Sequence, residues 1–144
     1  MWKQWHSIEA AWELMARHAK YARVGLFRLD VVYRTPIDIS SLGDAVVPNF
    51  AHWTGVNDRA FYGSWDNARV WATQRIPSLA RYLSTPEGKR AGMHSESFMK
   101  YLTKNMTLTF ASICFQRVRA HGEIDPEYSR PATSSTPARA PCVV

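Results

Sequence analysis

Apolar residues return at every third or fourth position from Trp5 to Tyr21, at Trp5, Ile8, Trp12, Met15 and Ala19. That is the helical period, and it predicts an amphipathic helix with both tryptophans on its buried face. Ser7 and Glu9 suit its first turn, and Arg17, His18 and Lys20 its last. The period then changes to two. Between Arg23 and Tyr33, Phe27, Leu29, Val31 and Tyr33 share one side, while Leu26, Arg28, Asp30 and Val32 share the other. This predicts an interior strand that ends at Thr35-Pro36. Arg28 and Asp30 stand side by side on it, either satisfying each other or facing a site that handles phosphate or metal.

Ser40 or Ser41 can cap a short helix that runs through Val47 and stops at Pro48. Two short extended runs flank Asn57-Asp58 and read as a hairpin. Ser64 and Asp66 open a helix with an apolar face of Trp65, Ala68, Val70, Trp71 and Ile76; Pro77 kinks it, and Leu79, Tyr82 and Leu83 finish it. Thr85 to Gly92 reads as a basic, glycine-bearing surface loop without P-loop spacing. A polar run into Phe98 starts another helix over Ser95 to Lys104. Met106 to Val118 fits neither period cleanly, but Thr107, Thr109, Ile113 and Phe115 favour a strand into Gln116. The sum is an α+β domain over 1–122, a small largely antiparallel sheet with helices packed on one face. From 123 to 144 the chain turns acidic and then Pro/Ala/Ser/Thr-rich, which predicts a disordered C-terminal tail.

Composition sharpens this in two places. With 6 Trp, 6 Tyr and 6 Phe among 144 residues, the body of the chain has the aromatics that disordered segments lack. Lys and Arg number 18 against 12 Asp and Glu, a net +6, and most of the cations are arginine. Such a balance favours phosphate-bearing partners, because cations that neutralise phosphates release counterions on binding. The two cysteines, Cys114 and Cys142, make no framework, and Cys142 falls in the tail, so a disulfide is not expected and a reducing compartment is. No run of about 18 apolar residues occurs, and Trp2, Trp5, His6 and Glu9 do not read as a signal peptide. The expectation is a cytoplasmic protein with no membrane partner.

Candidate chemistry centres on Tyr101 and Lys104, which, three residues apart on the expected helix, share one helical face. A phenol can attack a phosphodiester, and an ammonium one turn away can hold the phosphate; packing of the tyrosine beside a solvated lysine accounts for the same spacing. His6, His18, His52, His94 and His121 are scattered, the cysteines form no CxxC, and no nucleophile elbow is present. Neither a dedicated zinc site nor serine-hydrolase chemistry is expected.

Three segments in order, Arg23-Val-Gly-Leu-Phe-Arg28-Leu-Asp30-Val-Val-Tyr33, Phe50-Ala-His52-Trp-Thr-Gly-Val-Asn-Asp-Arg-Ala-Phe-Tyr-Gly63 and Ser97-Phe-Met-Lys100-Tyr101-Leu-Thr-Lys104, resemble the filamentous-phage (inovirus) replication proteins of the YagK/YfjJ C-terminal type. Those proteins look like relatives of the HUH endonucleases that start rolling-circle replication. The resemblance implies Tyr101 as nucleophile, Lys104 as its phosphate partner, His52 as a ligand of a divalent metal (Mg or Mn), and Arg28 with Asp30 in the first strand motif. It further implies single-stranded DNA as partner, with a host replication protein as a further candidate. The family's His-x-His is here Phe50-Ala51-His52, so one ligand is missing and the resemblance implies a degenerate member, with nicking left open. The nucleic-acid-binding cations expected with it are Arg28, Lys89, Arg90, Lys100, Arg117 and Arg119. The alternative function is a non-enzymatic protein-interaction module of a mobile element that binds an acidic host protein. Convergence of the cations on one groove with Tyr101 favours nucleic acid; scatter with an exposed aromatic patch favours a protein.

Overall fold

The computed structural model describes residues 2–40, 43–50, 52 and 55–124. In chain order these form α1 (Trp2–Ala16), β1 (Arg23–Phe27), β2 (Val31–Tyr33), β3 (Ala45–Pro48), β4 (Ala60–Ser64), α2 (Trp65–Thr73), α3 (Arg75–Ser84), α4 (Pro86–Ala91), α5 (Ser95–Leu102), β5 (Thr109–Ala111) and β6 (Phe115–Arg117). The fold is α+β. A four-stranded sheet of order β1-β4-β3-β5 is antiparallel at β1–β4 and β3–β4 and parallel at β3–β5, and β2 and β6 pair as a separate antiparallel ribbon. The tail expected from residue 123 lies, from 125 onward, outside the described residues.

Side-chain alternation in the central strands builds the layers. Ala45 and Val47 of β3 and Phe61 of β4 join Trp12, Ala68, Trp71, Ala72 and Met99 in a core beneath the helices. The alternate residues Val46, Ala60 and Tyr62 join Phe50, Ala111, Ile113 and Phe115 in a second core beneath the β2–β6 ribbon. Strands buried on both faces read as continuous apolar runs, so 45–48 carries no alternation to separate it from a helix. This is why the segment through Val47, expected as a helix, is a strand. A third cluster, Trp5, Leu79, Tyr82 and Phe98, joins α1, α3 and α5, with Tyr101 packed against it.

Several boundaries differ from the sequence pattern for local reasons. The strand expected over 23–33 is divided: β1 lies at the edge of the large sheet and β2 in the ribbon. The break falls at Arg28-Leu29-Asp30, where the Arg28 guanidinium grips the Asp30 carboxylate with two hydrogen bonds, Nε to Oδ1 at 2.7 Å. That pair holds Asp30 below the usual carboxylate range, while burial pushes the neighbouring Tyr33 phenol upward. Leu29 at the corner is fully exposed. The long helix from Ser64 divides at Gln74 instead of Pro77, which sits in the first turn of α3, where a missing N–H leaves no helical bond unmade. The loop expected at 85–92 holds α4, because Thr85 caps it by accepting the Gly88 N–H at 3.0 Å and Pro86 occupies its first position. Residues 106–118 form two short strands, β5 and β6, instead of one.

Among the described residues no strands pair across Asn57-Asp58, where the sequence predicts a hairpin; part of its first arm lies outside them. Asn57 is fully buried; its side chain donates to the Phe50 carbonyl at 2.8 Å and accepts the Arg59 N–H at 2.9 Å, tying the approach to β4 back on itself. Cys114 is disulfide-bonded, against the expectation of two separate thiols. Cys142, the other cysteine of the chain, lies outside the described residues.

Gly63 marks the closest approach between β4 and its surroundings: a Cβ there would overlap the Asp44 carbonyl and crowd Ala45. The Ser64 N–H donates to that same carbonyl at 2.9 Å, so the backbone cannot withdraw without breaking a bond. Gly63→Ala is expected to lose about 3 kcal/mol in urea denaturation. A midpoint equal to that of the wild type would show that the strands separate freely.

Candidate nucleic-acid interface

α5 is placed by its first turn. His94 precedes it, and the imidazole Nδ1 accepts the Ser97 N–H at 3.4 Å. The Val56 N–H donates to the Glu96 carbonyl at 3.0 Å, and Gly55 passes so close that a Cβ would overlap the same peptide. Arg59 then reaches Glu96 in an ion pair at 3.4 Å, with side chains 10% and 4% exposed. A buried pair of this kind stabilises little against an apolar replacement, but losing one partner strands the other charge. These contacts bind the helix to the segment leading into β4.

At the other end of α5, Tyr101 and Lys104 are together, but not on one helical face. The helix ends at Leu102, with Thr103 as its C-cap, and Lys104 folds back. Its Nζ lies over the Tyr101 ring, 4.9 Å from the centroid. Tyr101 itself is half-buried, with its ring 5.4 Å from that of Tyr82. The ammonium therefore meets the ring face, and the sequence-predicted pairing is a cation–π contact.

Tyr101 and Lys104 line a groove of about 360 Å³ whose other walls come from α2 and α3. Arg69 of α2 and Arg81 of α3 enter it, together with the neutral polar Thr73, Gln74, Ser78 and Asn105. Among the described residues no carboxylate lines it. Arg69, Arg81 and Lys104 are exposed, and among the described residues none of them is in an ion pair. Three uncompensated cations beside hydroxyl and amide donors make a site that attracts an anion.

The other predicted residues are distributed elsewhere. Arg28 and Asp30 form the corner pair described above, and Arg117 of β6 is close enough for its charge to help lower Asp30. Arg119 follows β6, and its N–H donates to the Glu123 carbonyl at 2.8 Å. Lys89 and Arg90 are exposed on α4, and Lys100 is exposed on α5. His52 has its Nδ1 engaged by the Asn57 N–H at 3.0 Å and its ring edge-on to Phe110. It is not among the described residues lining the Tyr101 groove, and among the described residues no three His, Cys, Asp or Glu side chains group as metal ligands.

Arg69 and Arg81 were not singled out by the sequence. Each lies on the polar side of its helix, a signal shared by most exposed arginines, and only the packing of α2, α3 and α5 brings them to Tyr101. No protein-family model, curated protein or solved structure matches the chain. Among the described residues no helix is long and apolar enough to cross a membrane.

Glu96→Gln is expected to destabilise the protein by about 3 kcal/mol by removing one charge of the buried Arg59–Glu96 pair. Arg59→Met combined with Glu96→Leu should recover most of that loss in chemical denaturation. A single Glu96→Gln variant with an unchanged midpoint would show that the pair does not anchor α5.

Proposed function

We propose that this chain binds single-stranded nucleic acid, with its phosphates held in the groove of Arg69, Arg81 and Lys104 and with Tyr101 as the aromatic surface beside them. The observation that carries the reading is a groove lined, among the described residues, by three exposed cations and no carboxylate. The net charge of +6 acts in the same direction at longer range. Guanidinium forks suit phosphate oxygens, and the hydroxyl and amide groups of Thr73, Gln74, Ser78 and Asn105 can complete their hydrogen bonding. The reading agrees with the partner implied by the resemblance to replication proteins, but rests on a different set of cations.

The groove supports binding more directly than cutting. Lys104 meets the Tyr101 ring instead of its hydroxyl, and His52 is positioned by a loop hydrogen bond away from the groove. Tyr101 is accordingly a contact residue in this proposal.

The test is fluorescence anisotropy with a labelled oligothymidylate over a range of salt concentrations. Three neutralised phosphates predict a slope of log K against log salt near −2, from about −0.7 per phosphate on a single strand. Arg69→Ala and Arg81→Ala should each weaken binding severalfold and flatten the slope by about 0.7, whereas Tyr101→Phe should bind as the wild type and form no denaturation-resistant adduct. Binding without salt dependence, or arginine variants that bind normally, would contradict the proposal. Equal affinity for polyglutamate would move the partner to an acidic protein.

A further inference from the structure

The opposite side of α2 borders a second cavity, about 490 Å³, between α1, the turn at 28–30 and the segment Asp58-Arg59. That volume holds a small organic ligand. Ile8, Leu26, Phe27 and Trp71 supply apolar walls, and Gln4 and Asp58 supply polar atoms. Trp71 presents only its margin, since one ring contact is the stacked Phe61 at 4.6 Å and another is the Arg75 guanidinium at 5.2 Å.

The charged groups around this cavity differ in one respect. Arg28 and Asp30 hold each other, and Arg59 is paired with Glu96. Asp58 is 8% exposed and makes no hydrogen bond or ion pair among the described residues. Behind it Arg75 is 1% exposed; its Nε donates to the Trp71 carbonyl at 3.1 Å, while both terminal nitrogens lack a hydrogen-bond partner. Burial lowers Arg75 to about 10, and Asp58 acts against that shift, yet the two form no ion pair. The Asp58 carboxylate lines the cavity and accepts no hydrogen bond from the described residues, so N–H donors from a ligand are the natural complement of its open side.

We propose that this cavity binds a planar heterocycle presenting two adjacent N–H donors, a guanine ring, to the Asp58 carboxylate. A flat ring suits the apolar walls, and two carboxylate oxygens can accept two parallel N–H groups. Among the common bases only guanine carries a ring N–H next to an exocyclic amino group. Adenine and cytosine place an acceptor nitrogen beside the amino group, and thymine and uracil flank their one N–H with carbonyls, so each sets a lone pair against an Asp58 oxygen. Gln4 lines the same cavity and carries an amide donor suited to the guanine carbonyl. The inference does not depend on the phosphate groove, since the guanine edge is the same in a free nucleoside and in a strand.

Calorimetric titration of the full chain with guanosine, adenosine, cytidine and uridine tests it. Guanosine should saturate at one site, with the other three about tenfold weaker or more. Asp58→Asn should weaken guanosine at least about tenfold, by replacing an acceptor with a donor. Ala11→Phe, at an exposed position on the cavity rim, should obstruct the same binding, and it decides the matter if Asp58→Asn does not fold. Arg69→Ala with Arg81→Ala should leave guanosine affinity unchanged, so that failure of the groove and failure of the cavity are distinguishable. An oligothymidylate carrying one guanine separates the sources: tighter binding than the all-thymidine strand indicates a base in a strand, and equal binding indicates a free nucleoside. Equal affinity for the four nucleosides, no saturation up to about millimolar concentrations, or a folded Ala11→Phe variant with wild-type guanosine affinity would overturn the proposal.

Discussion

The buried ion pair between Arg59 and Glu96 joins the strand layer to the helix layer at the point that orients α5. Arg59 leads directly into β4, the strand that pairs with both β1 and β3, and Glu96 lies in the first turn of α5. Around this pair the Val56 N–H and the close passage of Gly55 hold the first turn of the helix against the loop. Tyr101 is then carried on a helix with one end fixed by polar contacts and one side buried against Tyr82 and Phe98. A groove built on three packed helices fixes the backbone positions from which Arg69, Arg81 and Lys104 project, and their exposed side chains are left to order on binding.

α2 separates two chemically different surfaces. Ala68, Trp71 and Ala72 face the sheet and α1, with Trp71 also bordering the Asp58 cavity. Arg69, Val70 and Thr73 face α3 and α5 and line the cationic groove. One side is mostly apolar with a carboxylate, Asp58, that accepts no hydrogen bond from the described residues; the other is polar with cations that form no ion pair among them. A helix whose two sides meet phosphate and a flat ring respectively has the two contact types from which recognition of single-stranded nucleic acid is assembled.

Much of the helical part was legible in the sequence, because Trp5 and Trp12, and Ala68 with Trp71, recur at spacings that only a helix turns to one side. The strands were harder to read. Residues 45–48 are buried on both faces and carry no alternation, and 23–33 keeps a period of two through a bend that moves its second half into another sheet. Capping decided α4, where Thr85 and Pro86 outweigh a glycine that suggests a loop. The proximity of Tyr101 and Lys104 was expected, but its form was not, since the helix stops before Lys104. Arg69, Arg81 and Asp58 acquire significance only from what tertiary packing leaves unpaired around them, which no spacing along the chain encodes.

The central claim is that the α2–α3–α5 groove is where an anionic strand binds. Backbone amide chemical shifts recorded during titration with a short oligothymidylate test it most directly. The account predicts perturbations concentrated at residues 69–81 and 101–105, with the β2–β6 ribbon unaffected. Perturbations confined to the ribbon and the Arg28–Asp30 corner, with the groove silent, would contradict it.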